Sequence, residues 1–372
     1  MTPLDPPDRL LMGPGPSNPD PRVLAAMSKR LVGHLDPYFV HLMDETMSGL
    51  RAVYRTSNHH TLPISATGSA GLETIMMNLL EDGDRAVVAV IGYFGQRLAE
   101  MARRAGAEVE VVEVPQGEIV DPAEIDRALA KKKTKLLAFV HVETTTGACQ
   151  PIEPMVAVAR KHGALVAMDC VTSLGGIPID IDALGVDAAG SCSQKCLGAP
   201  PGLGPITISP RAMAAVAARK AKPHTWYFDL GLLFQYWGEN GAEKKRAFHH
   251  TAPISSIYGF HEALRVILEE GLEARWARHQ SAHDMLVRGL DKLGISLFTP
   301  AANQCATINV LAIPSGVDDA KVRARMLERG VEMSGGLGQL AGKVWRVGIM
   351  GHNAQAERVD RFLGALGESL RS

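Results

Sequence analysis

"KLLAFVHVETTTGACQPIEPMVAVARKHGALVAMD", Lys135 to Asp169, decides the architecture. Its two ends, 135–142 and 164–169, are apolar runs of strand length, and the residues near 152–162 between them read as a helix that stops at Gly163. A strand with one wet face alternates apolar and polar residues, whereas a strand covered on both faces is apolar throughout. The stretch is therefore read as strand, crossover helix and parallel strand, with helices on both faces of the sheet.

The same rhythm runs on both sides of it. "LPIS" (62–65) leads through "ATGSAG" to Leu72, Ile75, Met76, Leu79 and Leu80, spaced as one face of a helix. "RAVVAVIG" (85–92) precedes a helix carrying Leu98, Met101, Ala102 and Ala105 and ended by Gly106. "EVEVVEV" (108–114) precedes a helix opened by Asp121 as N-cap, with Pro122 in its first position and Glu124 placed for a capping box. Past about residue 258 the pattern changes to helices at 258–270 and 274–293, a strand at 305–313, a helix near 318–329, a strand at 343–350 and a last helix. The expected fold is α/β: an extended segment 1–20, a large domain 21–257 with a mainly parallel sheet, and a smaller α+β domain 258–372.

At 372 residues, 46% apolar, 21% charged and a net charge of -1, the chain has the composition of an ordinary globular protein. That balance argues against nucleic acid or an anionic membrane surface as a partner. The five cysteines are odd in number and lack C-x-x-C spacing, so neither a disulfide framework nor a zinc site is expected, and a reducing cytoplasm is. The first seven residues contain three prolines and no signal-like apolar core, and no run reaches membrane-spanning length.

Asp169 ends its strand, and Lys195 follows the short run "AAGSCS". In a parallel sheet both project from the carboxyl edge, where ligands of such sheets bind. Lys195 stands in "SCSQKCLGAPPGLG" with no charged residue for several positions on either side. An amine and a carboxylate in one crevice suit pyridoxal phosphate: the lysine joins its aldehyde and the carboxylate keeps its ring nitrogen protonated. Taken alone, the pair is also what an ordinary surface lysine after a strand would give. The turn Thr67–Gly68–Ser69 opens a helix and offers free N–H groups and hydroxyls to a phosphate, or is simply a tight strand-to-helix turn. Phe94 ends another strand, as a stacking ring or a core aromatic. Arg346, inside "KVWRVGIM", faces either a substrate carboxylate or solvent. Adjacent His249 and His250 are not read as a metal site, since neighbours on an extended segment point to opposite faces.

Eight motifs in order along the chain carry a resemblance: "GPGPSNPDP" (13–21), "ATGSAGLE" (66–73), "YFGQR" (93–97), "HVETTTG" (141–147), "MDCVTSLGGIPIDID" (168–182), "GSCSQKCLGAPPG" (190–202), "HHTAPI" (249–254) and "KVWRVGIMG" (343–351). Together they resemble the class V aminotransferases of fold type I, in particular the alanine–glyoxylate and serine–pyruvate group. The resemblance implies pyridoxal phosphate bound to Lys195, with Asp169 on the ring nitrogen, Thr144 beside the ring's 3-oxygen and Phe94 over the ring. It implies Thr67, Gly68, Ser69 and Gln194 around the phosphate, Thr251 reaching in from the second subunit of a homodimer, and Arg346 on the substrate carboxylate. Substrates of this kind are small amino acids and 2-oxo acids: alanine or serine to glyoxylate or pyruvate, with ureidoglycine and hydroxykynurenine as alternative donors. Phe248 departs from the tyrosine that animal relatives carry before "HHT", which puts one phosphate contact in doubt. A desulfurase of the same fold is disfavoured by Gln194, where desulfurases carry histidine, and a nicotinamide enzyme by the absence of G-x-G-x-x-G spacing in "TGSAG".

Overall fold

The Lys135–Asp169 stretch forms strand, helix and strand in the computed structural model, which describes residues 1–238 and 246–371. In chain order the strands are β1 Leu10–Leu11, β2 His60–Ile64, β3 Arg85–Val90, β4 Glu108–Glu113, β5 Leu136–Val140 and β6 Leu165–Asp169. They continue with β7 Ala188–Gly190, β8 Gly204–Ile208, β9 Ile308–Ala312, β10 Val331–Glu332, β11 Ser334–Gly335 and β12 Val344–Gly348. A seven-stranded sheet has the order β2-β8-β7-β6-β5-β3-β4. From β7 to β4 the neighbours are parallel, in the register Val140 to Asp169 and Asp169 to Gly190. β5 and β6 are buried at every position, as strands covered on both faces should be.

Two details differ from the sequence reading. β8 runs antiparallel to both β7 and β2; its sequence, Gly-Pro-Ile-Thr-Ile, follows a Gly/Pro-rich run and carries only a short apolar signal. The Asp121 carboxylate does cap the helix Pro122–Ala130, accepting the Ala123 N–H at 2.8 Å. Glu124 does not complete a box, because its carboxylate accepts a bond from Arg127 at 3.3 Å.

A second, antiparallel sheet orders β11-β12-β9, and β1 pairs parallel with β10. Its core joins Leu10 and Met12 to Leu286, Trp345 and Phe362, so the N-terminal segment is built into the smaller unit rather than merely extended before it. The helix Ile254–Glu270 buries Ile257, Phe260, Leu264 and Ile267 in the first core, against the helices Pro21–Met27 and Pro37–Tyr54. That apolar stripe has its partners in the larger unit, and on that packing we propose a boundary near Leu272 beside the one expected at 258. Among the described residues no helix is long and apolar enough to cross a membrane.

Phe139, fully buried in mid-β5, fills space between sheet and helices. Phe139→Ala should destabilise the larger unit by about 3–5 kcal/mol through lost burial and a residual cavity. A denaturant midpoint unchanged from the natural protein would contradict the placement of β5 at the centre of the core.

Candidate active site

The carboxyl ends of the strands gather the chemistry. The helix Gly68–Leu79 starts after β2, and the helix Tyr93–Arg104 starts after β3. Thr144 lies beyond β5, Asp169 ends β6 and Lys195 lies beyond β7. A cavity of about 180 Å³ is lined by Thr67, Gly68, Ser69, Phe94, Thr144, Asp169, Gln194 and Lys195, eight of the ten residues singled out from the sequence. Arg346 and Thr251 are not in that lining.

Burial pushes the Asp169 carboxyl up to about 6, against the Val171 N–H, which Oδ1 accepts at 2.8 Å, and the charges of Arg97 and Lys195. Burial also lowers the Lys195 amine, and the Arg346 charge lowers it further. Arg346 is thus within electrostatic reach of the cavity's amine. It is buried on β12, and its Nε donates to the Gly335 carbonyl at 2.9 Å. Thr251 is exposed.

The N-terminus of the helix Gly68–Leu79 is open toward a ligand. Thr67 stands at its N-cap without a side-chain cap bond, and no acidic residue lies in its first turn. Gly68 is pressed on the lysine loop: a Cβ there would sit 2.5 Å from Cys192 Cβ and 2.9 Å from the Ser191 carbonyl. Two buried polar atoms of the cavity lining, Gln194 Oε1 and Arg97 Nε, have no partner within the protein. Arg97 Nε is a donor and Gln194 Oε1 an acceptor, while the free N–H groups at the start of the helix Gly68–Leu79 are the donors that suit an anionic group such as a phosphate.

Three features escaped the sequence reading. Arg97 lines the cavity, and its guanidinium carbon lies 4.5 Å from the Phe94 ring centroid; the only sequence signal was its place in the "YFGQR" motif. The 12–17 stretch packs on the lysine loop: Ser17 N–H donates to the Gln194 carbonyl and Ser17 Oγ to the Lys195 carbonyl, both at 3.0 Å, while Lys195 Nζ donates to the Pro14 carbonyl. Gly15 takes φ +114°, a conformation that residues with a Cβ rarely adopt, and the Lys195 side chain lies against its open face. The two histidines do not diverge either. Their Nδ1 atoms are 2.8 Å apart, His250 Nε2 meets Ser65 Oγ at 2.7 Å, and His249 stacks on Trp226 at 4.3 Å. The segment is irregular rather than a strand, so period-2 alternation does not apply.

A family model described as aminotransferase class-V matches residues 10–362. The alanine–glyoxylate aminotransferase of Oryctolagus cuniculus is 40% identical over 371 residues, spanning 99% of this chain and 94% of that protein. The (S)-ureidoglycine–glyoxylate transaminase of Bacillus subtilis is 37% identical over 379 residues, spanning 97% of this chain and 90% of that protein. The crystal structure of an alanine–glyoxylate aminotransferase from Nostoc sp. matches with a TM-score of 0.96 at 48% identity, covering 100% of this chain and 97% of that one.

The raised Asp169 pKa has a consequence for the ligand-free protein. Its folded value, about 6, lies above the model-compound 3.8, so the native state binds the proton more tightly than the unfolded chain does. The stability this contributes is complete below about pH 4 and is lost as pH rises through 6. Asp169→Asn stays neutral and keeps an acceptor for Val171. The ligand-free variant should therefore be more stable than the natural protein at pH 8, with the difference closing toward pH 4. Equal denaturation midpoints at pH 8 would show that the cavity does not desolvate Asp169.

Proposed function

The chain belongs to the class-V aminotransferase family, and on that premise we propose that it transfers the amino group of alanine or serine to glyoxylate, with pyruvate as a second acceptor. The observation that carries this reading is the single cavity holding Lys195, Asp169 and the open start of the helix Gly68–Leu79, with Arg346 alongside. The uncapped helix start with the Thr67 and Ser69 hydroxyls, and the amine and carboxylate in the same cavity, fit pyridoxal phosphate. When bound, that cofactor supplies an aldehyde for the amino group and a protonated ring that takes up electron density from the substrate's α-carbon.

The protein's own residues divide the remaining work. Asp169 would keep the proton on the cofactor's ring nitrogen, its carboxylate balancing the ring's positive charge. With the cofactor bound, Lys195 would be the group that links to its aldehyde and, when free, the base for the substrate's α-proton; burial, which disfavours its charged form, suits it to that part. Thr67, Ser69 and Gln194 would hold the phosphate with the helix N-terminus, Phe94 would stack on the ring and Thr144 would meet its 3-oxygen side. Arg346 clamps the α-carboxylate common to donor and acceptor. Arg97 faces Asp169 and the Phe94 ring, which places it on the ring-nitrogen side rather than as a clamp for an acidic side chain.

A homodimer belongs to the same proposal. Leu31, Leu35, Tyr38 and Phe248 are each more than 60% exposed, and His34 contacts the Phe248 ring at 5.5 Å, which joins the two segments into one apolar surface. Exposed Thr251 stands three residues beyond Phe248, in place to complete a neighbouring site. The Bacillus subtilis relative favours ureidoglycine as an alternative donor. A desulfurase is disfavoured by the cysteines: four are buried, and Cys149 is half-buried.

Purified holoenzyme mixed with single amino acids should lose its visible absorbance with alanine and serine, and glyoxylate should restore it faster than pyruvate. Poor restoration by glyoxylate after every donor would remove the substrate assignment while leaving the family intact. Arg346→Lys retains the charge but loses the planar fork, so kcat/KM should fall for every donor by roughly 2–4 kcal/mol of transition-state stabilisation. A loss confined to one donor would show that Arg346 reads the side chain instead.

A further inference from the structure

Glu143 is a buried carboxylate to which the proposed reaction gives no part. It is fully inaccessible, and it sits in the turn that follows β5, immediately before the cavity residue Thr144. Its Oε2 accepts the N–H groups of Phe94 at 3.0 Å and Gly95 at 3.3 Å. Its Oε1 accepts the Thr145 N–H at 3.0 Å and the Thr145 hydroxyl at 2.7 Å, and that hydroxyl in turn accepts the Tyr93 N–H at 3.4 Å.

These are the bonds that an N-cap side chain makes. The helix Tyr93–Arg104 has Gly92 as its N-cap, with no side-chain cap bond of its own. The second and third helical N–H groups are those an N-cap aspartate or serine would take. Gly92 has no room for such a side chain: a Cβ would lie 2.4 Å from Glu143 Cγ and 2.6 Å from Thr145 Oγ1. The pair is therefore complementary. The cap is supplied from another strand's loop, and the N-cap residue is bare so that the cap can enter.

We propose that Glu143 is a positioning residue that pins the start of the helix Tyr93–Arg104 to the β5 loop and thereby fixes Phe94 and Thr144 across the cofactor cavity. Both side chains line that cavity, one from each of the two elements Glu143 joins. The inference rests on the reading of the cavity as a pyridoxal phosphate site, and its test separates the two.

Full-length apoprotein of the natural chain, Glu143→Gln, Glu143→Ala and the double variant Glu143→Ala with Gly92→Asp is titrated with pyridoxal phosphate, following visible absorbance and near-ultraviolet circular dichroism. The backbone at Gly92 is extended, with φ 161°, and truncating Glu143 both removes the nearest atoms and frees the Thr145 hydroxyl it holds, which then has to turn aside for aspartate to cap the helix locally. Glu143→Ala should fold, shown by unchanged far-ultraviolet circular dichroism, yet bind cofactor roughly fivefold to tenfold more weakly, on the scale of a lost cap. Its bound cofactor should show an altered near-ultraviolet signal. Glu143→Gln, which presents one acceptor and one donor to four donors, should fall between, and it carries the test should Glu143→Ala fail to fold. The double variant should recover most of the lost affinity. Natural affinity and spectrum in Glu143→Ala or Glu143→Gln, or a loss that the local cap leaves untouched, would overturn the proposal. Failure of the natural chain itself to bind the cofactor would instead overturn the reading of the cavity.

Discussion

An amine and a carboxylate are buried in one cavity without forming an ion pair with each other among the described residues. Burial raises one pKa and lowers the other, so each resists its charged form. Such an arrangement costs stability and persists only where the surrounding structure over-determines it. Here the sheet does so: Asp169 is the last residue of a fully buried strand, and the chain reaches Lys195 only a few residues beyond the adjacent strand. Each has a neutral backbone partner, the Pro14 carbonyl for Lys195 and the Val171 N–H for Asp169, and neither is neutralised by the other.

The lysine loop depends on the smaller unit as well as the sheet. Ser17, in the N-terminal stretch that also feeds the second core, bonds the carbonyls of Gln194 and Lys195. From behind, buried Arg275 donates to the Cys196 carbonyl at 2.7 Å and the Gly175 carbonyl at 3.0 Å, with Glu270 balancing its charge at 2.7 Å. Arg346 comes from the second sheet. The Lys195 amine and the arginine proposed to hold the substrate are thus tied to one another through the N-terminal stretch, which bonds to β12 where the Gly348 N–H meets the Met12 carbonyl at 2.9 Å.

Legibility in the sequence followed the physics of each element. Interior parallel strands such as Leu136–Val140 and Leu165–Asp169 announce themselves because both faces are dry, and Asp169 stands out as the residue that ends the apolar run. β8 was hidden because Gly204 and Pro205 carry turn signals, although both lie in a strand. The packing of the helix Ile254–Glu270 on the first core was not legible, because an amphipathic stripe shows that a helix packs, not against which core. Arg97 and Glu143 were invisible for a related reason. Each acts through a partner distant in sequence, and only the fold brings Glu143 to the start of the helix at Tyr93 or Arg97 toward Asp169. Thr251 remains the residue whose proposed role lies outside its own subunit.

The central claim is that Lys195, and no other lysine, is the covalent anchor of the cofactor. Borohydride reduction of the holoenzyme, followed by digestion and mass spectrometry, addresses it directly. The account predicts a single pyridoxyl-phosphate modification on the peptide containing "SCSQK" and loss of the visible absorbance in step with it. Modification of a different lysine as the main product, or full loss of absorbance with Lys195 unmodified, would contradict it.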